Sequence, residues 1–224
     1  MGFKIAIDGP AGSGKSSLAS AIAQSIGILN VNTGAIYRAY TLYMLNCNAD
    51  INSENEVKNK LCEVKVNQDV DSTGASITFL NGENVTNMLG SELVSKSTAI
   101  VAKYPSVREK VAEVQRNLAS KYDVVMEGRD IGSVILPDAE VKIYLTASPE
   151  IRAKRRFNQL KEKNIEVDYE SVLQGIRDRD KQDTTRKISP LIKCADAIEV
   201  NTDNISLEEV ENIILNIINN KRKE

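Results

Sequence analysis

The opening of the chain constrains the fold more than any other part of it. Residues 3–7 form a short, mostly apolar run, and Gly9-Pro10-Ala11-Gly12-Ser13-Gly14-Lys15-Ser16 follows almost directly. That turn matches the pattern G-x-x-x-x-G-K-[ST]. After it, Leu18, Ile22 and Ile26 recur at every fourth position, which predicts a helix with one apolar face. A buried strand, a glycine-rich turn and a helix in direct succession are typical of an α/β fold.

The glycine-rich turn has the composition of a phosphate-binding loop. Glycine lets backbone N–H groups turn toward a phosphate without a Cβ in the way, and the N-terminus of the next helix adds positive potential. Lys15 would place a charge between the β- and γ-phosphates, and the Ser16 hydroxyl would ligate Mg²⁺. The predicted ligand is a nucleoside triphosphate with Mg²⁺, and the alternative is a plain turn between a strand and a helix. The sequence has no G-x-G-x-x-G and no N-K-x-D motif, which disfavours a dinucleotide site and a GTPase switch.

The composition narrows the possible chemistry. The 224 residues include no histidine, so Ser-His-Asp and Cys-His nucleophiles, H-E-x-x-H zinc sites and the H-R-D loop of protein kinases are excluded. Cys47, Cys62 and Cys194 are scattered, which argues against a zinc site or a disulfide framework. Phosphoryl transfer fits the remaining residue types, because it depends mainly on positioning and on charge neutralisation.

Charge and hydropathy bear on the location of the protein and on whether it binds nucleic acid or a membrane. The net charge of −2 gives no global field that would attract nucleic acid or an anionic membrane. The first residues lack the charged-then-apolar pattern of a signal peptide, and no apolar run approaches the roughly 20 residues that span a bilayer. We therefore expect a cytoplasmic protein with small-molecule ligands, no nucleic-acid partner and no membrane segment.

Strand and helix patterns alternate along most of the chain. Apolar runs at residues 28–31, 124–126, 141–145 and 198–200 predict four further strands between helical patterns. This alternation predicts an α/β fold with a doubly wound, mainly parallel, five-stranded sheet. Between residues 64 and 85 short alternating runs flank Asn81-Gly82, which predicts a small antiparallel insertion built on a hairpin.

Three arginine-bearing segments are suited to a second anion. They are Thr33-Gly34-Ala35-Ile36-Tyr37-Arg38, Glu127-Gly128-Arg129-Asp130 and Arg179-x-x-x-Asp183-x-x-Arg186. The first two follow predicted strands, and doubly wound sheets bind ligands at the carboxyl ends of their strands. A transferase needs such a second site, together with a lid that excludes water. On spacing alone, Arg38 could instead be a solvated charge on a helix, and Arg129 with Asp130 a local ion pair.

In these segments the chain resembles the bacterial cytidylate kinases. The resemblance covers nearly the whole chain, and it runs in order through I-D-G-P-A-G-S-G-K-S-S, T-G-A-I-Y-R, Y-P-S-V-R, E-G-R-D-I-G-S-V-I-L-P-D-A, R-D-R-D-K-Q-D-T-T-R and S-P-L-I-K-C-A-D-A. It implies a P-loop kinase that uses ATP and Mg²⁺ to phosphorylate CMP or dCMP in pyrimidine nucleotide metabolism. A kinase of UMP, dTMP or AMP, and a binding switch driven by ATP, stay open as alternatives.

The resemblance implies roles for the matched positions on the ATP side. The predicted ATP-binding residues are Gly9, Pro10, Ala11, Gly12, Ser13, Gly14, Lys15, Ser16, Ser17 and Arg156. Ser16 would be the ligand of Mg²⁺. Arg152 and Arg155 lie beside Arg156 where the family's lid begins, and all three could reach the ATP phosphates when the lid closes.

The resemblance also implies an acceptor site. Lys15, Arg38, Arg129 and Arg186 are the predicted catalytic residues, and the three arginines among them would hold the α-phosphate of the acceptor as guanidinium forks. The predicted acceptor-binding residues are Thr33, Tyr37, Arg38, Arg108, Arg129, Asp130, Arg179, Asp183 and Arg186.

Within that set the roles divide by the part of the acceptor. Tyr37 would pack against the base, Arg108 and Asp130 would read the cytosine edge, and Arg179 and Asp183 would contact the sugar.

The sequence departs from the family pattern near this site. Leu89-Gly90 stands where an Ile-Arg pair is usual, and Ala99 stands where a serine faces the base. Ser97 or Thr98 would have to replace that serine. Glu127 replaces the first aspartate of D-G-R-D, and its longer carboxylate could still order the waters around Mg²⁺.

The resemblance predicts one kinase spanning residues 1–224, acting as a monomer. Its core would comprise residues 1–34, 105–150 and 188–224. The insertion that binds the monophosphate would span about residues 35–104, and a helical lid would span about residues 151–187.

Overall fold

The computed structural model describes residues 2–71, 75–162 and 164–223. The strands are β1 Lys4–Asp8, β2 Leu29–Val31, β3 Val66–Val70, β4 Ser76–Leu80, β5 Glu83–Asn84, β6 Val124–Gly128, β7 Val141–Thr146 and β8 Ile198–Asn201. The α-helices are α1 Lys15–Ile26, α2 Thr33–Asn46, α3 Glu54–Leu61, α4 Glu92–Val101, α5 Pro105–Lys121, α6 Pro149–Glu162, α7 Tyr169–Thr185 and α8 Leu207–Lys221. A π-helical turn, Ile131–Ile135, follows β6.

The main sheet has five strands in the order β2-β6-β1-β7-β8. Strand β1 pairs with β7 in parallel, with Ile5 opposite Val141, and β7 pairs with β8 in parallel, with Ile143 opposite Ile198. Parallel neighbours need long crossover connections, which the intervening helices supply. The predicted α/β fold with a five-stranded parallel sheet is confirmed.

The chain divides into two compact units. The loop unit, Phe3–Ile26 with Val125–Glu224, contains the glycine-rich turn. The hairpin unit, Met1–Gly2 with Gly27–Val124, contains β3, β4 and β5. The boundaries given above for core, insertion and lid stay predictions.

The core of the loop unit lies on both faces of its central strands. All five residues of β1 are buried, as are Met126 in β6 and Ile143 and Leu145 in β7. Strands covered on both faces need near-continuous apolar runs, which explains why these segments do not alternate with polar residues. Helices α6 and α7, in the region predicted as a helical lid, share a small apolar cluster around Ala153, Leu173 and Ile176.

The hairpin unit contains the predicted antiparallel sheet, with the strand order β3-β4-β5. In β3 and β4, Val66 lies opposite Leu80 and Val70 opposite Ser76. Asn81 and Gly82 have φ angles of 51° and 90°, the left-handed values that a tight hairpin turn requires. Residues 72–74 of the predicted insertion lie outside the described residues.

Pro105 separates two helices, as the sequence predicts. Helix α4 ends at Val101, and Pro105 is the first residue of α5, a position where its missing N–H costs nothing. Among the described residues, no helix combines the length and the apolar composition needed to cross a bilayer.

Candidate active site

The glycine-rich turn between β1 and α1 has the backbone that its glycines predict. Gly12 and Gly14 have φ angles of 77° and 97°, in the left-handed region that favours glycine. At Gly9 a Cβ atom would overlap the carbonyl oxygen of Leu145 in β7. The turn can therefore keep this shape only with glycine at these positions, and it leaves backbone N–H groups at the start of α1 available to an anion.

Lys15 is folded back onto the loop that it follows. Its side chain is 4% exposed, and Nζ donates to the carbonyl oxygen of Pro10 at 2.7 Å and to Ser13 Oγ at 3.4 Å. Burial, together with the nearby charge of Arg129, lowers the pKa of Lys15 to about 7. A phosphate oxygen could replace the Pro10 carbonyl as acceptor, and its charge would favour the protonated amine.

Ser16 provides a hydroxyl beside a carboxylate. Ser16 Oγ donates to Oε1 of Glu127, at the carboxyl end of β6, at 2.9 Å. Within the described ranges no cluster of three or more Asp, Glu or Cys side chains could hold a metal by itself. Mg²⁺ usually takes one or two protein oxygens and completes its shell with water and nucleotide phosphates. The pair of oxygen donors fits such an ion, bound together with a nucleotide.

A cavity of about 390 Å³ adjoins the loop within the loop unit. The loop lines this cavity together with two further groups of residues: the apolar Ile205, Leu207 and Val210, and Arg156 and Gln159 of α6. An apolar wall suits a flat base, whereas an arginine beside a phosphate loop suits a polyphosphate chain. The cavity has the chemistry expected for a nucleoside triphosphate.

Arg152, which the sequence grouped with Arg156, has a different environment. It is 2% exposed, and its guanidinium group forms a fork with Asp180 at 2.7 and 2.9 Å. Nε donates to the carbonyl oxygen of Ala147 at 2.8 Å, and Nη1 donates to that of Ala11 in the loop at 3.1 Å. Arg152 therefore joins α6, α7 and the loop in this structure, and its contact with the ATP phosphates stays a prediction.

Arg155 likewise holds protein groups. Nη2 donates to the carbonyl oxygen of Thr202 at 2.6 Å, and Nη1 donates to Thr202 Oγ1 at 3.0 Å. The Thr202 hydroxyl in turn donates to the carbonyl oxygen of Thr146 at 3.2 Å. Of the three arginines on α6, Arg156 is the exposed one.

The loop unit brings four of the predicted acceptor residues together as two ion pairs. Arg129 Nε donates to Asp183 Oδ2 at 2.7 Å, and Nη2 of Arg186 lies 3.8 Å from Asp130 Oδ1. The charges of Arg129 and Asp183 both act on the pKa of Lys15, so this first pair lies within electrostatic reach of the loop. The structure thus pairs Arg129 with a residue of α7, and places Asp130 near the residue that follows α7.

Arg179 and Asp183 share α7, and they differ in setting. Asp183 is half-buried in its ion pair with Arg129, whereas Arg179, one helical turn earlier, is exposed. The spacing that predicted a joint role for the two residues places them on one face of the helix.

Asp8 is a site residue that the sequence analysis did not single out. It lies at the end of β1, is 5% exposed, and accepts from the backbone N–H groups of Ile131 at 2.9 Å and Gly132 at 2.7 Å. Burial raises its pKa to about 6, even though these two hydrogen bonds act in the opposite direction. Asp8 holds the π-helical turn after Arg129 and Asp130 against the strand that carries the loop. The signal in the sequence was a carboxylate at the end of a buried apolar strand, directly before Gly9.

In the hairpin unit, the predicted acceptor residues begin α2. Asn32 is the N-cap, and its side chain accepts from the N–H of Ala35 at 3.0 Å. Thr33 Oγ1 accepts from Nε2 of the buried Gln115 at 2.9 Å. Tyr37 and Arg38 follow within the first two turns and are half-buried. Arg108, in the first turn of α5, is half-buried as well.

Arg38 borders a cavity of about 360 Å³ within the hairpin unit. Hydroxyl-bearing residues form much of its wall, namely Ser76, Thr78, Thr86 and Ser95. Gly90, at a position where the sequence departs from the family pattern, also borders it. A guanidinium group among hydroxyls is suited to a phosphate or a sugar.

The second departure lies on α4. Ala99 is exposed, while Ser97 is buried and Thr98 Oγ1 donates to the carbonyl oxygen of Val94 at 2.7 Å. Of the two residues suggested as replacements for the missing serine, Thr98 thus uses its hydroxyl within its own helix, and Ser97 lies in the buried interior.

The chain matches known proteins over nearly its full length. The family model described as cytidylate kinase matches residues 5–220. The cytidylate kinase of Caldicellulosiruptor saccharolyticus is 45% identical over 218 residues, covering 96% of this chain and 95% of that protein. The cytidylate kinase of Thermosipho melanesiensis is 45% identical over 223 residues, with 100% of both chains covered.

The fold also matches a solved structure at low sequence identity. The crystal structure of an uncharacterized protein from Eubacterium ventriosum aligns with a TM-score of 0.57 and 15% identity, covering 98% of this chain and 99% of that chain. At this identity the likeness supports the α/β fold alone.

Proposed function

The chain belongs to the cytidylate kinase family, and from this we propose that it transfers the γ-phosphoryl group of ATP to CMP or dCMP, giving ADP and CDP or dCDP. The observation that carries the proposal is that Arg129, paired with Asp183, lies within electrostatic reach of Lys15, and that the neighbouring Asp130 is paired with Arg186. A chain that only bound ATP would gain nothing from a second set of phosphate-binding cations.

On the donor side, the phosphate loop from Gly9 to Ser17 holds the ATP phosphates. Lys15 leaves the Pro10 carbonyl to bind the β- and γ-phosphates, and Arg156 reaches them from α6. Mg²⁺, when bound, neutralises phosphate charge, and Ser16 with Glu127 is the donor pair that would hold it.

On the acceptor side, arginines hold the α-phosphate of CMP. Arg38, Arg129 and Arg186 are the residues proposed for this, since guanidinium forks match phosphate oxygens in pairs. In the absence of a ligand, Arg129 donates to the carboxylate of Asp183, and Arg186 donates to the carbonyl oxygen of Ser189. A phosphate that binds there would compete with these carboxylate and carbonyl oxygens for the same guanidinium N–H groups.

The remaining acceptor residues read the nucleoside. Tyr37 packs against the base, and Arg108 and Asp130 pair with the polar edge of cytosine. Asp183 and Arg179 contact the sugar. Thr33 binds the acceptor from the start of α2, the helix that carries Tyr37. Asp130 accepts from the exocyclic amine of cytosine, which uracil lacks.

The transfer itself needs no general base. The accepting oxygen of the CMP α-phosphate is already anionic, so it can form the new P–O bond while the bond from the γ-phosphorus to the β-bridging oxygen breaks. The barrier is the repulsion between two polyanions, which Lys15 and the arginines offset by placing fixed positive charge around the transferring group.

An assay of ADP release with a panel of acceptors tests the proposal. CMP and dCMP should each stimulate ADP release at least tenfold more than UMP, dTMP or AMP at equal concentration. Equal stimulation by another monophosphate would indicate a different acceptor. Slow ADP release that no acceptor changes would indicate a binding switch and would contradict the proposed function.

We also propose that the enzyme acts as a cytoplasmic monomer, because ATP and nucleoside monophosphates are cytoplasmic metabolites and each proposed role lies on one chain. Light scattering coupled to size exclusion, with and without ATP, tests the monomer.

A further inference from the structure

We infer that Gln68 is a positioning residue for the acceptor site, holding the start of α2 from the neighbouring strand β3. This inference rests on the proposed function, since it assigns a cause to the orientation of Thr33, Tyr37 and Arg38. It concerns contacts within the hairpin unit only.

Gln68 occupies an inward position where an apolar residue would be ordinary. In β3, Val66 and Gln68 are buried while Asn67, Asp69 and Val70 are exposed. Gln68 is 0% exposed. A buried amide is costly unless each of its polar groups is paired, so its partners are informative about why it is there.

The Gln68 amide is paired on both sides with one residue. Oε1 accepts from the backbone N–H of Asn32 at 2.9 Å, and Nε2 donates to the Asn32 carbonyl oxygen at 3.0 Å. The second Nε2 hydrogen goes to Thr78 Oγ1 at 3.0 Å. Because a backbone N–H only donates and a carbonyl only accepts, the partners fix which way the amide faces.

Asn32 is the residue through which this pairing reaches the site. It is the N-cap of α2, and the helix starts at Thr33. Holding both backbone groups of the N-cap residue fixes where the first turn begins, and therefore the direction of the side chains that follow it. Arg38 lies five residues into the helix, where a small rotation at the cap displaces a long side chain by ångströms.

The third hydrogen bond ties the same amide to the cavity wall. Thr78 borders the cavity that Arg38 also borders, and the backbone N–H of Thr78 donates to Thr86 Oγ1 at 2.9 Å. Gln68 therefore connects the helix that carries Arg38 to the strand and turn that face it across the cavity.

The test replaces Gln68 with a residue of similar volume that cannot form these bonds. Gln68→Met should raise KM for CMP about tenfold, which corresponds to the loss of one to two net hydrogen bonds, and should leave KM for ATP within about twofold. Val57→Ala is the matched control. Val57 is fully buried in α3 of the same unit and has no part in the cap, so the variant should be destabilised with both KM values unchanged.

A second measurement does not depend on activity. Amide hydrogen exchange of the peptide spanning residues 29–40 should be about tenfold faster in Gln68→Met than in the wild type, and unchanged in Val57→Ala. A wild type that does not phosphorylate CMP would remove the proposed function and leave the exchange result to decide this inference. The inference would be overturned if Gln68→Met kept the KM of the wild type for CMP and its rate of exchange. It would also be overturned if Gln68→Met and Val57→Ala changed the KM values for CMP and ATP equally.

Discussion

Lys15 illustrates how one residue can be prepared for a ligand before that ligand arrives. The Pro10 carbonyl accepts a hydrogen bond from its amine in the absence of a ligand. The amine is buried and lies close to the positive charge of Arg129, and both features disfavour the charged form. ATP phosphates would reverse this preference by adding negative charge beside the amine. The residue should therefore change its protonation when the nucleotide binds.

The first prediction is that ATP binding takes up a proton above neutral pH. With a pKa of about 7 in the free protein, most Lys15 side chains are neutral at pH 8, whereas the complex holds them protonated. The Kd for ATP should thus rise as the pH increases from 7, by at most about tenfold per pH unit. Calorimetric titration at pH 8 in two buffers of different ionisation enthalpy measures the uptake. Lys15→Ala should bind more weakly and take up no proton, and equal uptake in both proteins would contradict the assignment.

The second prediction concerns Asp8 and stability. Its pKa is raised from 3.8 to about 6, so between these values the folded state holds a proton that the unfolded state has released. The corresponding stability is present at low pH and is lost as the pH rises through 6. The free energy of unfolding of the wild type relative to Asp8→Asn should fall by about 2 kcal/mol from pH 4.5 to pH 7. Urea unfolding of both proteins measures this, and a difference that grew with pH would refute the account.

At the scale of an element, helix α6 divides its arginines between two tasks. Arg152 is buried and braces α7 and the loop through Asp180 and Ala11, while Arg156 is exposed beside the cavity. Charge and spacing on the helix do not distinguish them. The partners of Arg152 lie on other elements of the loop unit, and those contacts make the difference.

The third prediction separates these tasks by substitution. Arg152→Ala leaves Asp180 and two carbonyl oxygens without their donor, so it should lower the free energy of unfolding by about 3 kcal/mol or more. Arg156→Ala, one turn along the same helix, should change stability by less than about 0.5 kcal/mol and raise KM for ATP about tenfold. Thermal unfolding and initial rates measure the two effects. A stable Arg152→Ala protein with weak ATP binding would reverse the assignment.

These elements also show why the site was only partly predictable. The strand, glycine loop and first helix follow from local patterns, and so do the Asn81-Gly82 hairpin and the Pro105 boundary. Asp8 with Gly132, Arg152 with Asp180 and Gln68 with Asn32 are pairs between distant segments. No local periodicity encodes such pairs, because their partners are set by how the elements pack.

At the scale of the whole molecule, the sequence contains residue types that can bind two anionic ligands, and the fold brings several of these residues together. Arg129, Asp130, Asp183 and Arg186 come from two segments separated by more than 50 residues, and the structure joins them. The fold class was predictable because alternating strands and helices admit few topologies. The direction of each guanidinium group was not, since a solvated arginine and a phosphate-binding arginine can have the same spacing.

The roles of the acceptor arginines can be tested by comparing transfer with binding. Arg186→Ala and Arg38→Ala should each lower kcat/KM for CMP about a hundredfold, because the α-phosphate loses a charged partner at the transition state. The Kd for ATP should change less than about threefold. Equilibrium titration and initial rates separate the two quantities, and a loss of ATP affinity equal to the loss of transfer would assign these arginines to the donor instead.

The central claim is that one chain passes a phosphoryl group directly between two nucleotides. Tracing the label from [γ-³²P]ATP in a mixture with CMP tests it most directly. The account predicts that the label appears in CDP, that Lys15→Ala slows its appearance by about a hundredfold or more, and that omission of CMP leaves the label in ATP. Label released as inorganic phosphate at the same rate with and without CMP would contradict it.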